Sequence, residues 1–232
     1  MWRARHSSAR DLAEVILGYG FILLILWVPT PLQRVLSPIA LIGTLAVVLL
    51  GPPGHGVAED ANREKNPHPG AAELGLGLRG LISSFWILPA AAALTIASVL
   101  IAKKAGTLHP LYKGDLKHVV GYVLWTCYQQ FLLQDLFMPR LIRVLSSETS
   151  AVYLAGVLFA TAHLPNLSLT AATLVWGTVS CALFRRYRNV YALGLAQGLL
   201  GLAFAICVPD AWHHHLRVGL GYLRYHGTQS GP

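Results

Sequence analysis

The sequence predicts an all-α fold, a polytopic integral membrane helix bundle of about seven transmembrane helices. Of the 232 residues, 54% are hydrophobic and only 12% are charged, about half the charged fraction of an average soluble domain. The chain also contains several apolar runs close to the roughly 20 residues that a helix needs to cross a bilayer. No internal repeat or second domain interrupts these runs, so residues 1–232 are expected to form a single transmembrane domain.

Seven apolar segments are expected to form the membrane helices. They are, in chain order, 12–28, 36–50, 80–101, 118–137, 151–164, 168–184 and 190–208. The second and fifth are short for a span, so they are expected to be tilted or to continue into their flanks. The segment 51–73 is rich in glycine, proline and charge, and it is predicted to be a solvated loop.

The net charge of +8 is expected to face anionic lipid or to set the topology. An N-terminus inside places eleven lysines and arginines on the inner side and seven on the outer side. This favours an inner or plasma membrane location with a cytoplasmic N-terminus, against the evidence of four lysines in the loop 103–117. No basic face is interleaved with exposed aromatics, so no nucleic-acid partner is expected. The three cysteines all lie in apolar runs and predict neither a disulfide nor a metal site.

The stretch YQQFLLQDLFMPRL places four polar residues at or near membrane depth in the fourth predicted span. Gln130 and Gln134 are four residues apart and share a helix face, with Gln129 one step round. Asp135 points elsewhere, on the stripe of Tyr128. The three glutamines are expected either to converge on one cavity or to join neighbouring helices by hydrogen bonds.

Asp135 is the acidic residue of this stretch. A carboxylate at membrane depth is costly, and by default it indicates a functional site. The alternative is a place at the helix end, near Arg140, in headgroup water. Asp135 is therefore a candidate whose partner the sequence leaves open.

Two later helices also carry polar side chains to membrane depth. His163 lies near the end of a helix that Pro165 closes, and Gln197 lies in the middle of the last span. One shared cavity explains three such helices better than three unrelated placements, although a lone histidine is often only a packed, hydrogen-bonded residue. The catalytic candidates are Gln129, Gln130, Gln134, Asp135, His163 and Gln197, and the substrate-binding candidates are Phe159 and Tyr128.

The C-terminal segment 209–232 contains three consecutive histidines, His213–His215, and His226 beyond them. On a regular helix consecutive side chains point about 100° apart, so they could not all bind one metal. We interpret the segment as an interfacial tail anchored by Trp212, Tyr222 and Tyr225. The alternative is a cap over the cavity that supplies further polar groups.

The order of the motifs resembles that of the CPBP family, the CAAX prenyl endopeptidase and bacteriocin-processing intramembrane glutamic proteases, also called the ABI family. The similarity covers roughly residues 80–205. The family's first motif, EExxxR with a LLFPRL-like end, aligns with Gln129, Gln130 and Gln134 followed by LFMPRL. Its second motif, FxxxH, is intact at Phe159 and His163 and continues as HLPN.

The third family motif, HxxxN or HxxxD, aligns with Gln197 and Gly201 after the lead-in GTVSCALFRRYRNVYAL. The resemblance implies that a glutamate of the first motif and the histidine of the second activate a water, while the third motif stabilises the oxyanion. Glutamine cannot accept the proton of that water, and a positioned base contributes about 10²–10⁴-fold. Gln197 could still donate a hydrogen bond to an oxyanion. His163 could act as a base alone, since its ordinary pKa is about 6.5.

Three functions remain open on the sequence. The first is an intramembrane endopeptidase, or a relative of one that lacks the Glu-Glu dyad. The second is a membrane enzyme on the same scaffold that acts on a lipid or prenyl substrate with Asp135, His163 and the glutamines. The third is a non-catalytic binding or regulatory pseudoprotease. The expected partners are membrane lipids and a hydrophobic peptide or a prenyl or lipid chain, and the sequence names no cofactor.

Overall fold

The computed structural model describes residues 2–50, 70–72, 74–112 and 114–225. These residues form helices joined by turns and contain no strand, which confirms the predicted all-α class. The helices are α1 (Trp2–Trp27), α2 (Thr30–Leu50), α3 (Leu78–Ser84), α4 (Ile87–Ala105), α5 (Leu116–Phe131), α6 (Met138–Leu145), α7 (Glu148–Thr161), α8 (Leu167–Tyr187), α9 (Val190–Cys207), α10 (Asp210–His213) and α11 (Gly219–Leu223). A π-helical segment, Leu132–Phe137, joins α5 to α6.

Each predicted span falls mainly on helical chain, with changed boundaries. Four helical stretches are long and apolar enough to cross a membrane: α2, α3 with α4, α8 and α9. The count of seven spans stays a prediction. The span predicted at 36–50 begins earlier, at Thr30, and the span predicted at 118–137 continues through the π-helical segment into α6. The loop predicted at 51–73 lies outside the described residues except for 70–72.

Polar side chains fix where four of the helices begin. Asp115, Ser147, Asn166 and Asn189 precede α5, α7, α8 and α9, and each side chain accepts a backbone N–H of the first turn. Such caps satisfy amide groups that have no partner within the helix. They set the start of each helix and therefore the height of its polar residues in the bundle.

The π-helical segment follows from the proline beyond it. Pro139 has no amide hydrogen, so the carbonyl of Asp135 loses the partner that a regular α-helix would provide. The buried Arg140 replaces that partner, since its Nη1 donates to the carbonyl of Asp135 at 3.4 Å and to that of Leu136 at 2.9 Å. Segments of this kind occur frequently at functional sites.

Two ion pairs attach α1 to α6. Arg140 Nε donates to Glu14 at 2.6 Å, and Arg143 makes a bidentate pair with Asp11 at 2.7 and 2.6 Å. Both arginines are nearly inaccessible at the side chain. A buried charge is tolerated only when it is paired and hydrogen-bonded, so these contacts hold the two helices in one register.

Glycines allow α9 to lie directly against α5. A Cβ at Gly194 would lie 2.6 Å from the Cα of Cys127, and one at Gly198 would lie 3.1 Å from Thr126 Oγ1. Thr126 Oγ1 also donates to the carbonyl of Gly194 at 2.9 Å. Small residues at helix interfaces are typical of membrane bundles, where close backbone contact replaces the hydrophobic effect.

We predict that Gly194→Ala destabilises the protein, because the added methyl group meets the backbone of Cys127. Overpacking typically costs about 1–3 kcal/mol. The control is Gly121→Ala on α5, where a Cβ meets nothing within 4 Å and helix propensity improves. The midpoints of thermal unfolding in detergent are compared. A Gly194→Ala protein as stable as Gly121→Ala would contradict the close α5–α9 contact.

Candidate functional site

The structure brings together the four glutamines that the sequence singles out, in one chain of amide hydrogen bonds. Gln134 Nε2 donates to Gln130 Oε1 at 3.0 Å. Gln130 Nε2 donates to Gln197 Oε1 at 2.6 Å, and Gln197 Nε2 donates to Gln129 Oε1 at 2.6 Å. The chain joins α5 and the π-helical segment to α9 without a charge, which suits the interior of a membrane bundle.

Trp176 on α8 sets the direction of this chain. Its indole Nε1 lies 3.1 Å from Gln197 Oε1. An indole N–H can only donate, so the atom that it meets must be the amide oxygen. Gln197 therefore presents its NH₂ to Gln129 and its oxygen to Gln130. The chain ends at Gln129, whose own Nε2 has no hydrogen-bond partner in the part of the chain that the structure describes.

Trp176 was not among the candidates from the sequence. The available signal was its place in the middle of α8, since membrane tryptophans that act as anchors lie near the interface. A tryptophan at mid-span must find an acceptor for its N–H within the bundle. Such a position therefore indicates a polar partner on a neighbouring helix.

A cavity of about 730 Å³ is lined by residues of α1, α2, α4, α5, α7, α8 and α9. This volume is within the range of small-molecule sites, roughly 300–1,000 Å³. Five of the predicted site residues line it, namely Tyr128, Gln129, Phe159, His163 and Gln197. Gln130, Gln134 and Asp135 do not line it; all three are buried behind it.

The cavity wall is mainly apolar and reaches the outer surface of the bundle. Leu94, Trp125 and Val175 line the cavity, and each of these side chains is about half exposed or more. In a membrane protein this exposed surface faces acyl chains. The cavity is therefore connected to the bilayer between helices.

His163 stands at the cavity wall in one defined tautomer. Its Nδ1 lies 2.7 Å from the carbonyl of Phe159, and the two rings meet edge to face at 5.0 Å. A carbonyl only accepts, so Nδ1 carries the hydrogen and Nε2 keeps its lone pair. Nε2 has no hydrogen-bond partner among the described residues, so the lone pair is available to a ligand.

Asp135 is buried away from this histidine. It is 7% exposed, and its Oδ2 has no hydrogen-bond partner among the described residues. Arg188, at the end of α8, interacts with it electrostatically. Arg140 contacts only its backbone carbonyl and gives its Nε to Glu14. The structure therefore does not bring Asp135 and His163 together at the cavity.

The C-terminal tail folds back onto the turn between α7 and α8. Asn166 Nδ2 donates to the carbonyls of His213 at 2.8 Å and Arg217 at 3.0 Å. The amide of Gly219 donates to the carbonyl of Leu164 at 2.9 Å. These bonds hold the tail next to His163, since Leu164 is its neighbour in sequence.

The tail contributes apolar rather than polar groups to the cavity. Leu216 and Val218 line it, whereas the three consecutive histidines do not. His214, His215 and Leu216 all have a left-handed backbone, with φ of 47°, 54° and 57°, which is costly for residues with a Cβ. The described residues hold no group of three or more metal-ligating side chains, and His226 lies outside them.

His213 is buried as a neutral imidazole. Its Nε2 donates to the carbonyl of Val208 at 2.9 Å, and its Nδ1 accepts the amide of Leu216 at 3.2 Å. Burial is the main reason that the pKa of His213 lies below its ordinary value of 6.5, although the Val208 bond and the charge of Asp210 oppose the shift. The tail therefore depends on an uncharged His213.

Residues 116–203 match the model of a family described as type II CAAX prenyl endopeptidase Rce1-like. This segment of the chain is therefore similar to CAAX prenyl endopeptidases of the Rce1-like family. The family resemblance stated from the motifs is confirmed over this segment, which spans α5 to most of α9 and carries the four glutamines of the hydrogen-bonded chain and His163. Comparison with curated proteins and with solved structures gave no match.

The structure distinguishes Gln129 from Gln130, the two positions that the motif resemblance aligns with the family's glutamates. Gln129 lines the cavity, whereas Gln130 is fully buried. Gln129 receives a hydrogen bond from Gln197, whereas Gln130 gives one to it. An ionised carboxylate can only accept hydrogen bonds. The amide hydrogen bonds around position 129 are therefore compatible with a carboxylate, whereas those around position 130 are not.

We predict that Gln129→Glu leaves the protein folded and that Gln130→Glu destabilises it. A carboxylate at position 129 would accept the NH₂ of Gln197, whereas one at position 130 would face Gln197 Oε1, which is already an acceptor for Trp176. Two buried acceptor oxygens that face each other without a hydrogen between them cost about 1–3 kcal/mol of stability or more. Thermal unfolding in detergent at neutral pH measures the difference. Equal destabilisation by both changes would contradict the direction of the chain.

We predict that acidification loosens the tail. The pKa of His213 is lower in the docked tail than its ordinary value. Below about pH 6.5 the undocked tail therefore binds more protons than the docked tail, so docking weakens as the pH falls. Hydrogen exchange of the Gly219 amide, corrected for intrinsic rates, is compared at about pH 7.5 and about pH 5.5. His213→Gln, which cannot titrate, should reduce the dependence. The same loss of protection in His213→Gln would contradict the assignment.

Proposed function

We propose that the protein binds a prenylated or otherwise lipidated peptide in the cavity and does not hydrolyse it. The observation that carries the proposal is the orientation of Gln129. At the place where the family resemblance implies a water-activating carboxylate, the cavity presents an amide NH₂. That group donates a hydrogen bond and cannot remove a proton from water.

The distribution of carboxylates supports the same function. No Asp or Glu of the described residues lines the cavity. Asp11 and Glu14 are paired with arginines of α6, and Asp135 lies behind the wall. His163 consequently has no carboxylate that orients it, since its Nδ1 is bound to the carbonyl of Phe159. Apart from the imidazole of His163, the wall offers hydrogen-bond donors and apolar surface, which are features of a binding site.

The ligand class follows from the shape and polarity of the cavity. Apolar side chains form most of the wall, and the volume of about 730 Å³ admits a long hydrocarbon chain. Each buried methylene contributes about 0.8 kcal/mol. The few polar groups at one region, Gln129, His163 and Gln197, suit a polar group attached to such a chain. A lipidated peptide combines both parts, in keeping with the Rce1-like match.

A second function, hydrolysis by His163 alone, is favoured by one observation. His163 Nε2 has no hydrogen-bond partner among the described residues, and His163 lines the same cavity as Gln129 and Gln197. A neutral imidazole with a free Nε2 lone pair can accept a proton from water. This mechanism lacks a second acid–base group, so it would be slow compared with a dyad.

Binding and cleavage of one farnesylated tetrapeptide decide between these functions. The purified protein is placed in lipid nanodiscs, binding is followed by fluorescence anisotropy, and products are followed by mass spectrometry. We expect binding without cleavage. We expect Gln129→Glu to acquire cleavage, because it restores a base worth about 10²-fold or more, and Gln129→Glu with His163→Ala to lose it again.

Two outcomes would contradict the binding function, and a third would remove the observation on which it rests. Cleavage by the wild-type protein that disappears in His163→Ala would establish the hydrolase. Absence of saturable binding by the folded wild-type protein would exclude a lipidated peptide as the ligand. Absence of cleavage by a folded Gln129→Glu protein that still binds would remove the argument from residue 129.

A further inference from the structure

Gly201 and Tyr122 meet at the cavity wall. Gly201 lies one turn beyond Gln197 on α9, and a Cβ at Gly201 would lie 2.0 Å from Tyr122 Oη and 3.0 Å from Tyr122 Cζ. Any side chain at position 201 would therefore need the space that the Tyr122 hydroxyl occupies. Both residues line the cavity. The Tyr122 hydroxyl of α5 thus occupies the space that a side chain at Gly201 of α9 would fill.

The hydroxyl of Tyr122 is unsatisfied, unlike those of two other tyrosines at the wall. Tyr19 shares a hydrogen bond with Thr161 at 2.7 Å, and Tyr128 shares one with Thr44 at 2.6 Å. Tyr122 has no hydrogen-bond partner among the described residues. The hydroxyl of a largely buried tyrosine usually finds a partner, so its place at the cavity indicates a partner on the ligand.

We propose that Tyr122 is a specificity-determining residue, whose hydroxyl donates a hydrogen bond to a carbonyl oxygen in the peptide part of a lipidated peptide. This inference rests on the proposed binding function and names the group that the site recognises. A hydrocarbon chain offers no acceptor, so it would leave the hydroxyl unpaired. A peptide carbonyl satisfies the hydroxyl without introducing a charge into the bundle.

Tyr122 and Gln129 recognise different atoms of such a ligand. They are seven residues apart on α5, which places them on one face and about 10 Å apart along the helix axis. A single carbonyl oxygen cannot reach both groups at that separation. Two donors spaced along one wall fit an extended polar segment, and the lipid chain then occupies the apolar remainder of the cavity.

The test compares two probes in nanodiscs, a farnesylated tetrapeptide and farnesyl methyl thioether, which has the same chain without a carbonyl. We expect Tyr122→Phe to lower the affinity for the peptide about three- to tenfold, the usual effect of one hydrogen bond. Its affinity for the thioether should stay within about twofold of the wild-type value. Gly201→Ala should lower the affinity for the peptide similarly, because the added methyl group displaces the Tyr122 hydroxyl. Tyr187→Phe, which removes a hydroxyl outside the cavity, should change neither affinity. Thermal unfolding of each variant establishes that it is folded.

The outcomes separate this inference from the proposed function. If the wild-type protein binds neither probe, both fail. If it binds the peptide and folded Tyr122→Phe binds it equally well, only the role of Tyr122 is overturned. Equal weakening of both probes would also overturn it, since that result indicates a change in cavity shape and not the loss of a carbonyl contact. Should Gly201→Ala fail to fold, the Tyr122→Phe comparison still decides.

Discussion

The hydrogen bond from Trp176 to Gln197 determines the polarity of the whole site. An indole N–H has no acceptor role, so it fixes which end of the Gln197 amide faces α8. The other amides take the orientation that this choice requires, so the cavity meets a donor at Gln129. One apolar-looking residue on α8 thereby decides the chemistry that Gln129 offers, although the two side chains are two hydrogen bonds apart.

The bundle separates its charges from its cavity. The buried arginines of α6 are neutralised by Asp11 and Glu14 of α1, and the π-helical turn uses Arg140 to satisfy backbone carbonyls. The cavity, by contrast, is lined by neutral polar groups and hydrocarbon. In a low-dielectric interior an unpaired charge costs far more than an unpaired amide. This division lets α1 dock firmly without placing an acid beside His163.

Hydrophobicity and helical period predicted the all-α class, the helical segments and the meeting of Gln129, Gln130 and Gln134 on a common network. The family motifs predicted a similarity over roughly residues 80–205, and the family model matches 116–203 of that range. Period alone could not separate the two adjacent glutamines, because which of them faces the cavity depends on how closely α9 approaches α5. Tyr122 and Trp176 were missed because neither occupies a motif position. Each acts through one atom at the tip of a large ring, which reaches its contact from a different helix.

The covering of the cavity by the tail has a consequence for how the site is filled. Leu216 and Val218 close the wall beside the turn between α7 and α8, while Leu94 and Val175 leave the wall in contact with the bilayer. A molecule that reaches the cavity between these helices is already dissolved in the membrane. Occupancy then depends on the mole fraction of that molecule among the lipids, a two-dimensional concentration. Dilution with lipid, and not with buffer, would empty the site.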